Sequence, residues 1–334
     1  TSDLDYELPS ELIAQKPADT RDASRLLVVD RAAGTLRDAA FVDLPTFHAA
    51  GDLIVLNDTK VVRAKLASRR ATGGRIDGLF VRDRGDKAWE VLLRGRGRLK
   101  PGETLSLEPV ESGHALELIE HLGGGRWSVR LVSDDDTEDV LDSVGRTPLP
   151  PYIHRTEEPD EADRERYQTI IAHCPGAVAA PTAALHFSDR VFADIDARNV
   201  KRSLLTLHVG PGTFAPIATE SLEEHRMHAE WFDLPAVTAA AVAECRNGGG
   251  KVTAVGSTAT RVLESRASAG GVTQGEGWTD IFIKPPHDFQ VVDRLLTNFH
   301  LPRSTLLALV MAFAGIDLTR AAYDRAVTER YRFF

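Results

Sequence analysis

Lys251-Val252-Thr253-Ala254-Val255-Gly256-Ser257-Thr258-Ala259-Thr260-Arg261-Val262-Leu263-Glu264 reads as a buried strand that turns on a glycine into a helix, with Ser257 or Thr258 as the N-cap. The same pattern recurs on both sides. Leu205-Thr206-Leu207-His208-Val209-Gly210-Pro211-Gly212-Thr213-Phe214 is an apolar stretch stopped by a histidine and a Gly-Pro-Gly turn. Leu295-Leu296-Thr297-Asn298-Phe299-His300-Leu301-Pro302 is another, ahead of a helix that Pro302-Arg303-Ser304-Thr305 opens and Leu306 to Phe313 fills. Asp280-Ile281-Phe282-Ile283 predicts a further strand, stopped by Pro285-Pro286, and Leu26 to Asp30 and Asp52 to Thr59 predict two buried strands near the start. Strands alternating with helices in this way predict an α/β domain with a largely parallel sheet.

From about residue 63 the texture changes. Short alternating runs separated by glycine, namely Arg75 to Val81, Trp89 to Leu93, Thr104 to Leu107, Ala115 to Glu120 and Trp127 to Leu131, predict a small all-β barrel or sandwich. Asp134 to Leu141 begins a short helix whose acidic first turn suits the positive end of the helix dipole. Pro148-Leu149-Pro150-Pro151-Tyr152 then stiffens the chain where one unit hands over to another. Residues 1–62 plus 151–334 are therefore expected to form one discontinuous α/β domain, with 63–150 inserted as a β-barrel domain.

At 334 residues the chain can bury a large core without staples. Cys174 and Cys245 have no CxxC or zinc spacing, which argues against a disulfide framework and for a reducing cytoplasm. Cys174, followed by Pro175, reads as a structural thiol. No run of about eighteen apolar residues occurs, so no membrane segment is expected. The formal net charge of −9 opposes a protein that coats nucleic acid nonspecifically. Between Lys60 and Lys100, however, thirteen Lys or Arg stand against Asp77, Asp83, Asp86 and Glu90. That segment either faces phosphates or is a solvated barrel surface neutralised by the acidic stretch after it.

Histidine is the side chain most easily poised for proton transfer near neutral pH. His186 closes the stretch Pro175-Gly176-Ala177-Val178-Ala179-Ala180-Pro181-Thr182-Ala183-Ala184-Leu185-His186-Phe187, and His208 and His300 close the two described above. Taken singly, each is most simply a strand-end residue bonding backbone; taken together, they point to one pocket rim. Gly210, Gly212 and Thr213, and likewise Gly256, Ser257 and Thr258, can offer N–H groups and hydroxyls to a polar ligand, or be ordinary tight turns. Neither loop is a Walker lysine loop or a GxGxxG fingerprint, so nothing supports ATP hydrolysis or a nicotinamide cofactor. His225 and His228 would share a helical face with Glu224 and Glu230 nearby, yet the order is not His-Glu-x-x-His. No metal site is expected there; Glu230 or His228 as a general base is the better functional reading, against a plain surface helix end.

The motifs in order resemble the S-adenosylmethionine:tRNA ribosyltransferase-isomerase family of queuosine biosynthesis. The resemblance spans nearly the whole chain and rests on Asp5 to Pro9, Ser24 to Leu27, Gly51-Asp52 with Asn57-Asp58-Thr59, Pro148 to Ile153, Tyr167-Gln168-Thr169, the Pro175 to Phe187 and Leu207 to Phe214 stretches, Met227 to Glu230, Thr279 to Ile283, Thr297 to Leu306 and Tyr331 to Phe334. It implies a barrel-like or half-barrel mixed α/β domain carrying an inserted small β barrel. It also implies that S-adenosylmethionine, a co-substrate and not a prosthetic group, gives its ribosyl group to 7-aminomethyl-7-deazaguanine at the tRNA wobble position, releasing adenine and methionine and leaving an epoxycyclopentanediol. A cytoplasmic, monomeric enzyme with a tRNA partner is the expectation.

Such chemistry needs a base to take an acidic hydrogen beside the sulfonium, and an acid to protonate the departing adenine, in a pocket that excludes water. The resemblance suggests Glu230 or His208, with His228 beside them, as base and His186 as proton donor. Thr182, Gly210, Gly212, Thr213, Gly256, Ser257, Thr258, Asp280, Asn298 and His300 would bind the substrate, with Arg261 on the methionine carboxylate. Ala184 stands where relatives commonly carry glycine, so a methyl group is expected to tighten the pocket. A small-molecule methyltransferase using the same donor and a non-catalytic RNA-binding relative are the alternatives.

Overall fold

The computed structural model describes residues 2–155, 161–214, 222–269 and 271–334. A hairpin of Arg25–Asp30 (β1) and Thr35–Ala40 (β2) precedes Leu53–Asn57 (β3) and the short Thr59–Val61 (β4). Six strands follow: Lys65–Arg70 (β5), Arg75–Asp83 (β6), Ala88–Gly95 (β7), Thr104–Leu107 (β8), Ala115–Gly123 (β9) and Arg126–Val132 (β10). They close into an antiparallel barrel in the order β10-β7-β6-β5-β8-β9. Strict alternation explains the closure, since Trp89, Val91 and Leu93 on one strand and Trp127, Val129 and Leu131 on another all point into one core. Each such burial contributes about 1.5–3 kcal/mol.

Helix Thr137–Val144 (α1) adds Val140, Leu141 and Val144 to that core, and the Trp89 indole N–H donates to the Thr137 hydroxyl at 2.9 Å. The buried Glu90 carboxylate accepts from Arg82, Arg84 and Arg126, so part of the basic excess seen in the sequence is neutralised on the outer wall of the barrel. Burial alone would raise the Glu90 pKa, but the Arg84 and Arg82 bonds hold it below the usual value.

The chain then runs through Glu161–Arg166 (α2), Cys174–Ala177 (β11), Asp189–Ala197 (α3), Lys201–Leu207 (β12), Glu230–Leu234 (β13), Ala236–Asn247 (α4), Val252–Val255 (β14) and Gly256–Ser265 (α5). A two-residue ribbon, Ala267–Ser268 (β15) with Gly271–Val272 (β16), leads to Gly275–Thr279 (β17), Arg294–Leu296 (β18), Thr305–Ala314 (α6) and Ile316–Thr328 (α7). The main sheet has the order β17-β13-β12-β3-β14-β18, parallel from β12 to β18 and antiparallel at β13 and β17. This is the expected mixed α/β unit with its inserted β barrel. All five residues of β3 are buried, as a central parallel strand covered on both faces requires. Asn57 ends that strand with a side chain that acts as an extra rung: its amide donates to the Leu207 carbonyl at 2.9 Å, and its Oδ1 accepts from the N–H groups of Leu207 and Thr59.

Local expectations change in four places. Leu26 to Asp30 lies in the half-buried hairpin β1–β2 outside the main sheet. The strand near residue 280 is Gly275–Thr279, not Asp280 to Ile283, because Arg261 takes the carbonyls of Thr279 (3.5 Å) and Ile281 (3.3 Å) as the ladder ends. Residues 225–229 are irregular and run into β13, so His225 and His228 share no helical face. Helix α5 begins at Gly256, in the left-handed region at φ +85, with Val255 in the cap position, so neither Ser257 nor Thr258 is the N-cap. By contrast, α6 does begin within the stretch expected to open it, with Ser304 as its cap accepting from the Leu307 N–H at 3.2 Å. No single helix among the described residues is long and apolar enough to cross a membrane.

Candidate active site

A cavity of about 1270 Å³ lies between the β1–β2 hairpin, the short turn Thr182–His186, the segment after β18 and the C-terminal residues. That volume accommodates a nucleoside-sized ligand. Thr182, His186 and Asn298 all line it. His186 Nδ1 is 3.0 Å from the Ser24 hydroxyl, Nε2 is 3.3 Å from the Asn298 amide nitrogen, and the ring packs on Phe41 at 5.3 Å. Burial, aided by the charge of Arg332, holds the His186 pKa below its ordinary value, so the ring is neutral at pH 7. With Asn298 donating, Nε2 is the acceptor and Nδ1 carries the proton toward Ser24.

Two features of this cavity escape sequence reasoning. The Asn298 Oδ1 is buried and makes no hydrogen bond among the described residues. Arg21, Arg166 and Arg332 also line the cavity and bond backbone carbonyls, Leu185 and Glu165 for the first, Asp19 and Ala18 for the second, Lys16 for the third. Carbonyls orient a guanidinium without cancelling its charge. Arg332 belongs to a stretch that the family resemblance already marked; Arg21 and Arg166 carried no signal.

A second cluster gathers at the ends of β12 and β13. Glu230 and Arg261, both buried, form an ion pair, and the other Glu230 oxygen accepts from the Gly210 N–H at 2.8 Å. His208 Nδ1 is 2.8 Å from the Thr59 hydroxyl, and its ring stacks on Trp231 at 4.9 Å. Burial, countered in part by Asp58, pushes the His208 pKa down to about 4. The imidazole also lies over Gly176, whose φ is +147 and where an added Cβ would come within 2.6 Å of Nε2. Helix α5 links the two clusters: Gly256 abuts Ala183 in the His186 turn, and Arg261 reaches Glu230.

The three strand-end histidines therefore do not share one rim. His186 lines the cavity and His208 sits in the second cluster. His300 is core: its N–H donates to the Tyr323 hydroxyl, Nε2 pairs with Thr297 at 2.9 Å, and burial pushes its pKa down to about 3. His228 is exposed against Gly212, and Asp280 is exposed. The Thr258 hydroxyl is buried without a hydrogen-bond partner among the described residues, and Ser257 is half-buried beside it. Thr213 lies in the turn Pro211–Phe214, with its side chain outside what is described. Ala184 points into a core with Phe41 and Phe187, so its methyl group does not narrow the cavity.

Fold and site first define a class: a mixed α/β protein with an inserted six-stranded barrel and a large cavity at the edge of its main sheet. The chain belongs to the queuosine biosynthesis protein family, whose model matches residues 1–334. It is 49% identical over 334 residues to an S-adenosylmethionine:tRNA ribosyltransferase-isomerase of Rubrobacter xylanophilus, covering 100% of this chain and 95% of the relative. A protein of the same name from Anaeromyxobacter sp. is 49% identical over 337 residues, covering 100% and 96%. Among solved structures, an S-adenosylmethionine tRNA ribosyltransferase from Thermotoga maritima matches with TM-score 0.56 and 32% identity over 99% of this chain and 96% of that one.

Proposed function

We propose that this protein transfers the ribosyl group of S-adenosylmethionine to 7-aminomethyl-7-deazaguanine at the wobble position of tRNA, releasing adenine and methionine and isomerising the ribose to the epoxycyclopentanediol of epoxyqueuosine. One observation carries the reading: Thr182, His186 and Asn298, the last two 112 positions apart, meet on one cavity large enough for a nucleoside in a chain that matches its family end to end. The unpartnered Asn298 Oδ1 gives an adenosine donor a buried acceptor to satisfy.

The roles in this reading differ from those the resemblance suggests. A neutral His186 with Nε2 as acceptor suits a proton acceptor better than the donor to adenine, because a histidine held below its usual pKa carries little proton at pH 7. His208, held by Thr59 and stacked on Trp231 outside the cavity lining, is in this scheme a positioning residue and not the second base. Glu230 and Arg261 are committed to each other, so they shape the Gly210 turn, and Arg166 or Arg332 meets the methionine carboxylate instead. The exposed cations Arg94, at the end of β7, and Arg96, Arg98 and Lys100, after it, face tRNA phosphates from the insert. In this scheme residues 1–62 plus 151–334 do the chemistry, 63–150 help to hold the RNA, and the protein works as a cytoplasmic monomer.

The test is incubation of S-adenosylmethionine with tRNA bearing the deazaguanine precursor, followed by chromatography. Adenine and methionine in equal amounts are expected. S-adenosylhomocysteine in their place would mean methyl transfer, and tight tRNA binding without turnover would mean a non-catalytic RNA binder.

A further inference from the structure

Asp58, His173 and Cys174 form a cluster that the reaction above does not use. The Asp58 carboxylate is oriented by the buried Thr206 hydroxyl, which donates to Oδ1 at 2.6 Å. The other oxygen, Oδ2, is 3.7 Å from Cys174 Sγ, which is in turn 3.6 Å from His173 Nδ1. All three candidate donor atoms lie within 4.8 Å of one another. The backbone fixes this arrangement too, since the N–H groups of His173 and Cys174 donate to the Asp58 carbonyl at 2.8 and 3.3 Å, and Cys174 pairs with Thr59 in the parallel β4–β11 ladder.

Those separations have a chemical meaning. With metal–sulfur bonds of about 2.3 Å, metal–nitrogen or metal–oxygen bonds of about 2.0–2.1 Å and tetrahedral angles, sulfur stands about 3.5 Å from the other donors. Both sulfur distances here are close to that spacing. A thiolate and a carboxylate together supply two negative charges for a divalent ion, and a thiolate with an imidazole favours zinc, cobalt or cadmium over magnesium or calcium.

We propose that Asp58 Oδ2, His173 Nδ1 and Cys174 Sγ bind one divalent ion of the zinc class, with the fourth position open to water on the exposed side of His173. The ion ties β4, where the chain leaves for the barrel, to β11, and Thr59 next to Asp58 holds His208.

The experiment is cobalt(II) titration of the full-length protein after chelator treatment and desalting. One equivalent is expected to give tetrahedral d–d bands and a thiolate-to-cobalt charge-transfer band. Cys174→Ala should remove the charge-transfer band, and His173→Ala, on the surface, should weaken binding at least tenfold with the fold intact by circular dichroism. Thr206→Val should weaken it about tenfold by freeing the carboxylate. Cys245→Ala should change nothing. A wild-type protein without the charge-transfer band, a band that survives Cys174→Ala, or one that vanishes in Cys245→Ala would overturn the proposal.

Discussion

Around His186 the polar groups face open volume, whereas around Glu230 they face each other. Ser24 and Asn298 hold the imidazole, yet the Asn298 Oδ1 is left over and three guanidinium groups keep their charge toward the cavity. In the second cluster Arg261 answers Glu230, Gly210 answers its other oxygen, and His208 is clamped by Thr59 and Trp231. Both clusters are rich in residue types that do chemistry. The difference teaches that unspent hydrogen-bonding capacity, more than residue type, separates a surface that recognises a ligand from one that shapes the protein.

The sharpest break of this comparison is His186→Ala. It should lower adenine release by about 10²–10⁴-fold with little change in unfolding midpoint, if His186 handles a proton. Unchanged turnover would move the chemistry out of the cavity. Next comes Arg261→Ala, which strands a buried carboxylate and should cost about 3–5 kcal/mol in denaturant unfolding, part of it recovered by adding Glu230→Gln. A stable Arg261→Ala with a raised KM for S-adenosylmethionine would instead make Arg261 a ligand contact.

Gly176→Ala forces a methyl group against the His208 ring at a positive φ, and should destabilise by about 1–3 kcal/mol while slowing turnover. The last prediction is the pH dependence. His208 and His300 have folded pKa values of about 4 and about 3 against an ordinary 6.5, so the unfolded chain takes up their protons first. The stability that comes from keeping them neutral is complete above about pH 6.5 and is lost as the pH falls through 4 toward 3. Denaturant midpoints should drop over that range, less steeply in His300→Asn; identical slopes would remove His300 from the account.

Much of the architecture was legible because it is periodic. Trp89 to Leu93 and Trp127 to Leu131 alternate cleanly, and both are barrel strands. Strand β5 was not legible, because Ser68 points inward and is satisfied by the Ile76 carbonyl, which hides the alternation. Residues 225–229 carry a helix-like histidine spacing, yet the pull of β13 and the Glu230–Arg261 pair, 31 positions apart, decides their path. Within the site, family motifs led to His186 and Asn298, but no local pattern could tell that His300 is core or that Arg261 is already paired. The Asp58–His173–Cys174 arrangement is equally invisible to spacing rules, since 116 positions separate the carboxylate from the thiol.

Asn57 has a further consequence. By closing the last rung of β3 with its own amide, it lets the sheet end chemically complete before the chain departs at Asp58 for the barrel. The excursion thus hangs from a finished edge, like an attachment plugged into a socket. The rung at Asn57 does not depend on the length of the excursion, which makes this junction a natural point at which a protein engineer can vary the barrel without rebuilding the end of the central strand.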